Sequence, residues 1–168
     1  MSATRSLLIN AIELLREPGS RKHVSTVVTP IEIDAEHPAV TGDVAVEVDL
    51  ESTLDDIGLT GTISAPWVGQ CRRCLRPIDD PLTINVDERY AENPVPEDDA
   101  FPIERRQIDL APMVREHILL AADESRLCRD DCPGLCPVCG ADLASGPCTC
   151  DAAVIDERWA VLDQLRES

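Results

Sequence analysis

Aromatic side chains make up only 2% of the 168 residues: two tryptophans, one tyrosine and one phenylalanine. A chain this poor in rings must build its interior from aliphatic groups. It also lacks the stacking surface with which proteins read unpaired bases, so sequence-specific single-strand recognition is not expected. Lysine is almost missing, Lys22 standing alone among the 15 basic residues. Histidine is confined to His23, His37 and His117, which are far apart and lie beside no candidate nucleophile. His117 falls on an apolar helical pattern and reads as a hydrogen-bonded core or boundary residue. Adjacent carboxylates such as Asp98-Asp99 and Asp130-Asp131 arise by abundance alone, and no glycine-rich phosphate loop is present. The expectation is a protein that is not an enzyme.

Long apolar runs are missing too. Between Met1 and Asn10 only Leu7-Leu8-Ile9 is continuous, with Glu13 close behind, so neither a secretory signal nor a membrane span is expected. That predicts a cytoplasmic protein with reduced thiols, in which clustered cysteines serve as metal ligands rather than disulfides. The 15 basic residues face 32 acidic ones, a formal net charge of −17. Such a field repels bare nucleic acid at long range and attracts basic proteins, so DNA is not an expected partner.

What is present begins with 43% hydrophobic residues, enough for one domain with a small appendage. Leu7, Leu8, Ala11, Ile12 and Leu15 lie close to helical spacing before Pro18-Gly19, marking residues 1–20 as an N-terminal helix or arm. The period then changes to two. Val24, Thr26 and Val28, then Val44, Val46, Val48 and Leu50, then Ile57, Leu59, Gly61 and Ile63 alternate with mostly polar neighbours, the mark of antiparallel strands with one buried face. Leu82, Ile84 and Val86 resume the alternation after a hairpin tip expected at Cys71-Arg72-Arg73-Cys74. Residues 91–102, with three prolines and four acidic side chains, read as an exposed connection. Asp109 is placed to cap a helix carrying Met113, Val114, His117, Ile118, Leu120 and Ala121. Ile155, Trp159, Leu162 and Leu165 share one face of a last short helix, and Trp159 is expected to pack on or near the cysteine segment. The fold class expected is α+β, an antiparallel β-sheet module with flanking helices and a C-terminal zinc-knuckle segment; the domains expected are an antiparallel β module with its following helix over 21–125 and a cysteine-rich zinc-binding segment with a terminal helix over 126–168.

Six of the eight cysteines fall within residues 128–150. Cys136-Pro137-Val138-Cys139-Gly140 is the most specific unit, since a two-residue gap lets backbone amides point at both sulfurs while glycine permits the tight turn. Zinc takes four soft ligands in a tetrahedron, so eight cysteines provide for one or two Zn²⁺ ions. The expected sets are Cys136, Cys139, Cys148 and Cys150 around one ion, and Cys71, Cys74, Cys128 and Cys132 around a second. A tetrathiolate site keeps no open position for substrate, which makes the metal structural.

Rival readings exist. Cys71-x2-Cys74 also suits a redox dithiol, although that motif normally opens a helix in a βαβ setting and here it follows a strand. A rubredoxin-like iron site uses the same Cys-Pro-x-Cys-Gly turn, so an electron carrier is an alternative. Cys128 or Cys132 left outside a site would be ordinary buried thiols. Arg72, Arg73 and Arg76 form the main positive cluster, suited either to a limited contact with RNA or an acidic partner, or to neutralising the surrounding thiolates and carboxylates.

The order of these pieces resembles a known family. The strand-borne Cys71 to Leu75, the helix from Ile108-Asp109-Leu110 through Glu116-His117-Ile118-Leu119-Leu120, the segment Leu127-Cys128 with Gly134-Leu135-Cys136-Pro137-Val138-Cys139-Gly140-Ala141-Asp142-Leu143, and Ile155-Asp156-Glu157-Arg158-Trp159-Ala160-Val161-Leu162 are together similar to the YceD-like family. The resemblance covers roughly residues 20–165 and implies a non-enzymatic role in the build-up of large-subunit (23S) ribosomal RNA. With a charge of −17, the expected partners are basic large-subunit ribosomal proteins or a pre-ribosomal particle, with at most a limited contact to ribosomal RNA. A zinc-stabilised interaction module with no ribosomal link is the remaining alternative.

Overall fold

The computed structural model describes residues 6–95, 99–123 and 126–150. The chain separates into two compact units, residues 1–69 with 78–124 and residues 70–77 with 125–168. The short segment 70–77 interrupts the first unit in sequence and groups with the C-terminal residues.

The first unit is mostly β-sheet. Its strands are β1 (Leu8–Asn10), β2 (Arg21–Val28), β3 (Val44–Ser52), β4 (Ile57–Ala65), β7 (Leu82–Ala91), β8 (Ala100–Glu104) and β9 (Gln107–Asp109). They form one sheet in the order β1-β9-β8-β7-β4-β3-β2. Two short strands, β5 (Val68–Gln70) and β6 (Pro77–Asp79), pair separately and lead to and from the loop 71–76. Alternation decides which face is buried. Val44, Val46, Val48 and Leu50 are fully buried on β3, and Ile57, Leu59 and Ile63 match them on β4. Gly61 sits between Val48 and Val86 in this inner row. A Cβ there would lie 2.2 Å from the Glu47 carbonyl oxygen, so the close approach of β3 and β4 requires glycine.

The buried face is covered by α2 (Ala111–Asp123), which presents Met113, Val114, Ile118 and Ala122 to the core. Asp109 accepts the Ala111 N–H at 3.0 Å, securing the helix start. His117 meets Glu88 of β7 at 2.8 Å, both side chains half-buried, in keeping with a boundary role. Trp67, also buried, donates its indole N–H to the Ala122 carbonyl at 3.2 Å. Lys22 on β2 reaches the Asn10 carbonyl of β1 at 3.4 Å, so the two outer strands approach one another. Among the described residues no helix is long and apolar enough to cross a membrane.

Two stretches differ from the sequence expectation. The segment read as one amphipathic helix is an edge strand, β1, followed by only five helical residues, α1 (Ile12–Arg16). Leu7 and Ile9 are both buried, a period-two pattern that pairing with β9 selects over the helical one. Ala100, Phe101 and Pro102, assigned to a connection, pair in parallel with Arg89, Tyr90 and Ala91, and Phe101 stacks on Tyr90 with ring centroids 5.4 Å apart. The β8–β9 hairpin was not legible either. Its two-residue turn, Arg105-Arg106, has φ of 51° and 60°, left-handed at both positions where Asn-Gly is the usual choice. A left-handed residue other than glycine costs about 1 kcal/mol or more. The terminal helix expected over 155–165, with Trp159, lies outside the described residues.

Candidate metal centre

The described residues of the second unit bury few apolar side chains. Among its described residues, the buried side chains of hydrophobic type are Cys71, Cys74, Cys132 and Cys136. Sulfur occupies the place that aliphatic carbon holds in the first unit.

Two turns of the same construction position these sulfurs. In the first, Cys71 N–H donates to the Arg76 carbonyl at 2.8 Å and Leu75 N–H to the Cys71 carbonyl at 2.9 Å. In the second, Cys136 N–H donates to the Ala141 carbonyl at 2.8 Å and Gly140 N–H to the Cys136 carbonyl at 2.9 Å. Both turns close on a left-handed residue, Leu75 at φ 60° and Gly140 at φ 72°. Glycine meets that demand without strain, whereas an exposed leucine does not. A bridge between Leu135 and Asp142 and a bond from Leu143 N–H to the Gly134 carbonyl, at 3.1 Å, close a small hairpin around the second turn.

The structure brings all eight thiols together in two sets, Cys71 with Cys74, Cys128 and Cys132, and Cys136 with Cys139, Cys148 and Cys150, each set having its sulfurs within 4.8 Å of one another. Cys71 and Cys132 Sγ are 3.7 Å apart, and Cys74 and Cys128 Sγ 3.6 Å. A tetrahedron with Zn–S bonds of about 2.3 Å has edges of about 3.8 Å, whereas a disulfide holds its sulfurs about 2.05 Å apart. The donor set and its spacing therefore fit a closed four-coordinate metal. The first set is the more enclosed, with Cys71, Cys74 and Cys132 buried and Cys128 exposed; in the second only Cys136 is buried.

The electrostatics of the metal-free sets are uneven. Burial works against the Cys71 thiolate, yet hydrogen bonds from the backbone of Cys128, Cys74 and Arg73 bring it down from 9.0 to about 6. Backbone N–H groups of Cys139 and Val138 likewise lower Cys136 to about 6. Cys128 and Cys150 are pushed up to about 12, chiefly by sharing a proton with Cys74 and Cys139 respectively. Four thiolates cannot crowd together without a cation, so protons hold the places that a divalent ion would take.

The arginines take more specific roles than sequence alone assigns. Arg73 donates to the Cys132 carbonyl at 2.8 Å, and Arg76 forms an ion pair with Asp142. Asp142 is held below the usual carboxylate range first by the Ala144 N–H and then by Arg76. Both guanidinium groups thus tie the first cysteine turn to its surroundings. Arg72 is exposed and its side chain has no partner among the described residues.

A model of the family described as large ribosomal RNA subunit accumulation protein YceD matches residues 59–166. An uncharacterized protein of Mycobacterium bovis is 33% identical over 168 residues, covering 95% of this chain and 81% of its own, and one from Mycobacterium tuberculosis matches to the same extent. A chloroplastic Arabidopsis thaliana protein called large ribosomal RNA subunit accumulation protein YCED homolog 1 is 33% identical over 67 residues, 40% of this chain and 21% of its own length. No solved structure matches. Both cysteine turns lie within the matched residues, and the chain belongs to the YceD family of large ribosomal RNA subunit accumulation proteins.

Proposed function

We propose that this protein is a non-catalytic assembly factor that promotes accumulation of large-subunit (23S) ribosomal RNA in the cytoplasm, chiefly by binding basic large-subunit proteins or the particles that carry them. Each four-cysteine set holds one structural Zn²⁺, around which the described residues of the second unit are organised. Cys71, Cys74, Cys128 and Cys132 ligate one ion, and Cys136, Cys139, Cys148 and Cys150 the other.

The observation that carries this reading is the pair of four-cysteine sets among the second unit's described residues, in a chain of the YceD family. Four thiolates saturate zinc, so the ions organise a surface and have no open position for a reaction. The charge of −17 supports a protein partner over coating of RNA, and two tetrathiolate zinc sites would add to it. The YCED homolog of Arabidopsis is named for the same outcome, accumulation of large-subunit ribosomal RNA.

The test combines metal analysis of freshly isolated, reduced protein with sedimentation of cell extract. Two zinc ions per chain, co-sedimentation with large-subunit precursors, and a fall in large-subunit RNA on gene deletion are expected. A coloured protein with iron and a reversible redox couple would replace the assembly factor with an electron carrier. Zinc without any co-sedimentation would leave an interaction module unconnected to the ribosome.

A further inference from the structure

Within the cluster Arg72, Arg73 and Arg76, Arg73 and Arg76 are engaged by Cys132 and Asp142, and a second basic pair lies on the first unit. Of the six described arginines of the first unit, Arg21 pairs with Glu51, Arg89 with Asp56 and Arg115 with Asp34, while Arg16, Arg105 and Arg106 are exposed without a carboxylate among the described residues. Arg105 and Arg106 differ from Arg16 in standing side by side. Arg105 and Arg106 are both exposed, adjacent, and paired with no carboxylate among the described residues. They also occupy the two left-handed positions of a hairpin turn, where arginine is strained and Asn-Gly would be relaxed. The turn is anchored, for the Arg106 carbonyl accepts the Ala11 N–H at 3.0 Å. Lys22, the single lysine, holds its ammonium group against the carbonyl of Asn10, the residue next to Ala11 and opposite Gln107.

The left-handed backbone at both positions opposes the fold, and both side chains are exposed. We infer that the Arg105-Arg106 turn, with Lys22 beside it, is a phosphate-binding site through which the protein touches the backbone of ribosomal RNA. Two adjacent guanidinium groups on a rigid two-residue turn suit neighbouring phosphodiester oxygens, which accept paired N–H donors from each. Such a contact positions without reading sequence, in keeping with the scarcity of aromatic groups. It is local enough to act at contact distance inside a repulsive overall field. The site rests on the assembly-factor reading and adds an RNA contact to the protein-directed one.

The experiment uses the full zinc-loaded chain with Arg105→Asn and Arg106→Gly together, which gives the turn its relaxed residues while removing both charges. A second variant, Arg105→Lys with Arg106→Lys, keeps the charge. The probe is deproteinised large-subunit ribosomal RNA, titrated over a range of salt concentrations, with purified large-subunit proteins as a parallel probe. The Asn-Gly variant should unfold at a higher temperature and bind RNA at least tenfold more weakly at low salt. Its slope of log K against log salt should become shallower by about 1.4, from roughly 0.7 for each single-strand phosphate that is no longer neutralised, while the lysine variant keeps the original slope. RNA affinity within twofold of the parent, an unchanged salt slope, or a lowered unfolding temperature would each overturn the site. Loss of binding to the ribosomal proteins with RNA binding intact would also overturn it, reassigning the turn to a protein partner. If the parent binds the proteins and not the RNA, the site falls while the assembly-factor reading stands; if RNA binding behaves as expected and no precursor co-sediments in cells, the reverse holds.

Discussion

Breaking the first cysteine set should destabilise the β-sheet of the first unit, whereas breaking the second should not. Cys74 and Cys128 are 54 residues apart in sequence, and most of the intervening chain is the segment 78–124 of the first unit. An ion joining them closes that segment into a loop. In the chain-entropy description a cross-link of this span removes about 4 kcal/mol of freedom from the unfolded state. For a unit of this size, at roughly 4 °C per kcal/mol, losing it lowers the sheet's melting temperature by about 16 °C. The second set is confined to residues 136–150, beyond the last residue of the first unit, so its ion constrains no part of the sheet. Cys74→Ser and Cys139→Ser should therefore each lose one zinc ion and diverge in their effect. The amides of β3 and β4, followed by hydrogen exchange during a thermal ramp, should open early in Cys74→Ser and at the parent temperature in Cys139→Ser. In the latter, residues 134–143 alone should lose protection. Equal shifts in the two variants, or an unmoved sheet in a Cys74→Ser protein shown to have lost its ion, would refute the idea that the first site works as a long-range clasp.

Other outcomes follow from individual contacts. Gly61→Ala forces a Cβ to within 2.2 Å of the Glu47 carbonyl oxygen, and a cost of about 2–3 kcal/mol should appear as a lower urea midpoint with an unchanged m-value. Trp67→Phe removes the donor to the Ala122 carbonyl and should cost about 1 kcal/mol by the same measurement. In reduced, metal-free protein the ultraviolet absorbance of thiolate should rise first near pH 6, from Cys71 and Cys136, well below the ordinary 9.0. Because these folded-state values are depressed, the associated stability is complete above the unfolded pKa and disappears as pH falls through about 6. Zinc retention should weaken in the same direction, since protons compete for the sulfurs; retention that improves on acidification would contradict thiolate ligation.

Local patterns in the sequence sufficed where the physics is local. Alternation along Val44–Leu50 and Ile57–Ile63 announces strands with one buried face, because successive side chains on a strand must point opposite ways. The Cys-x2-Cys spacing at Cys71 and Cys136 dictates a turn whose hydrogen bonds span four and five residues. The composition alone announced an aliphatic interior and an acidic surface. Long-range pairing was needed for the rest. Whether Leu7 and Ile9 belong to a helix or a strand depended on β9, about a hundred residues away, being present to pair with them. The strain at Arg105-Arg106 has no local signature either, since only the register of β8 against β9 compels those residues into a left-handed turn. Arg73 and Arg76 look available in the sequence and are engaged in the folded chain, because their partners Cys132 and Asp142 lie 59 and 66 residues downstream. Residue type and spacing determine which backbone shapes are accessible over a few residues; which groups remain unpaired at the surface is decided only when distant segments meet and satisfy, or fail to satisfy, one another's charges and hydrogen bonds.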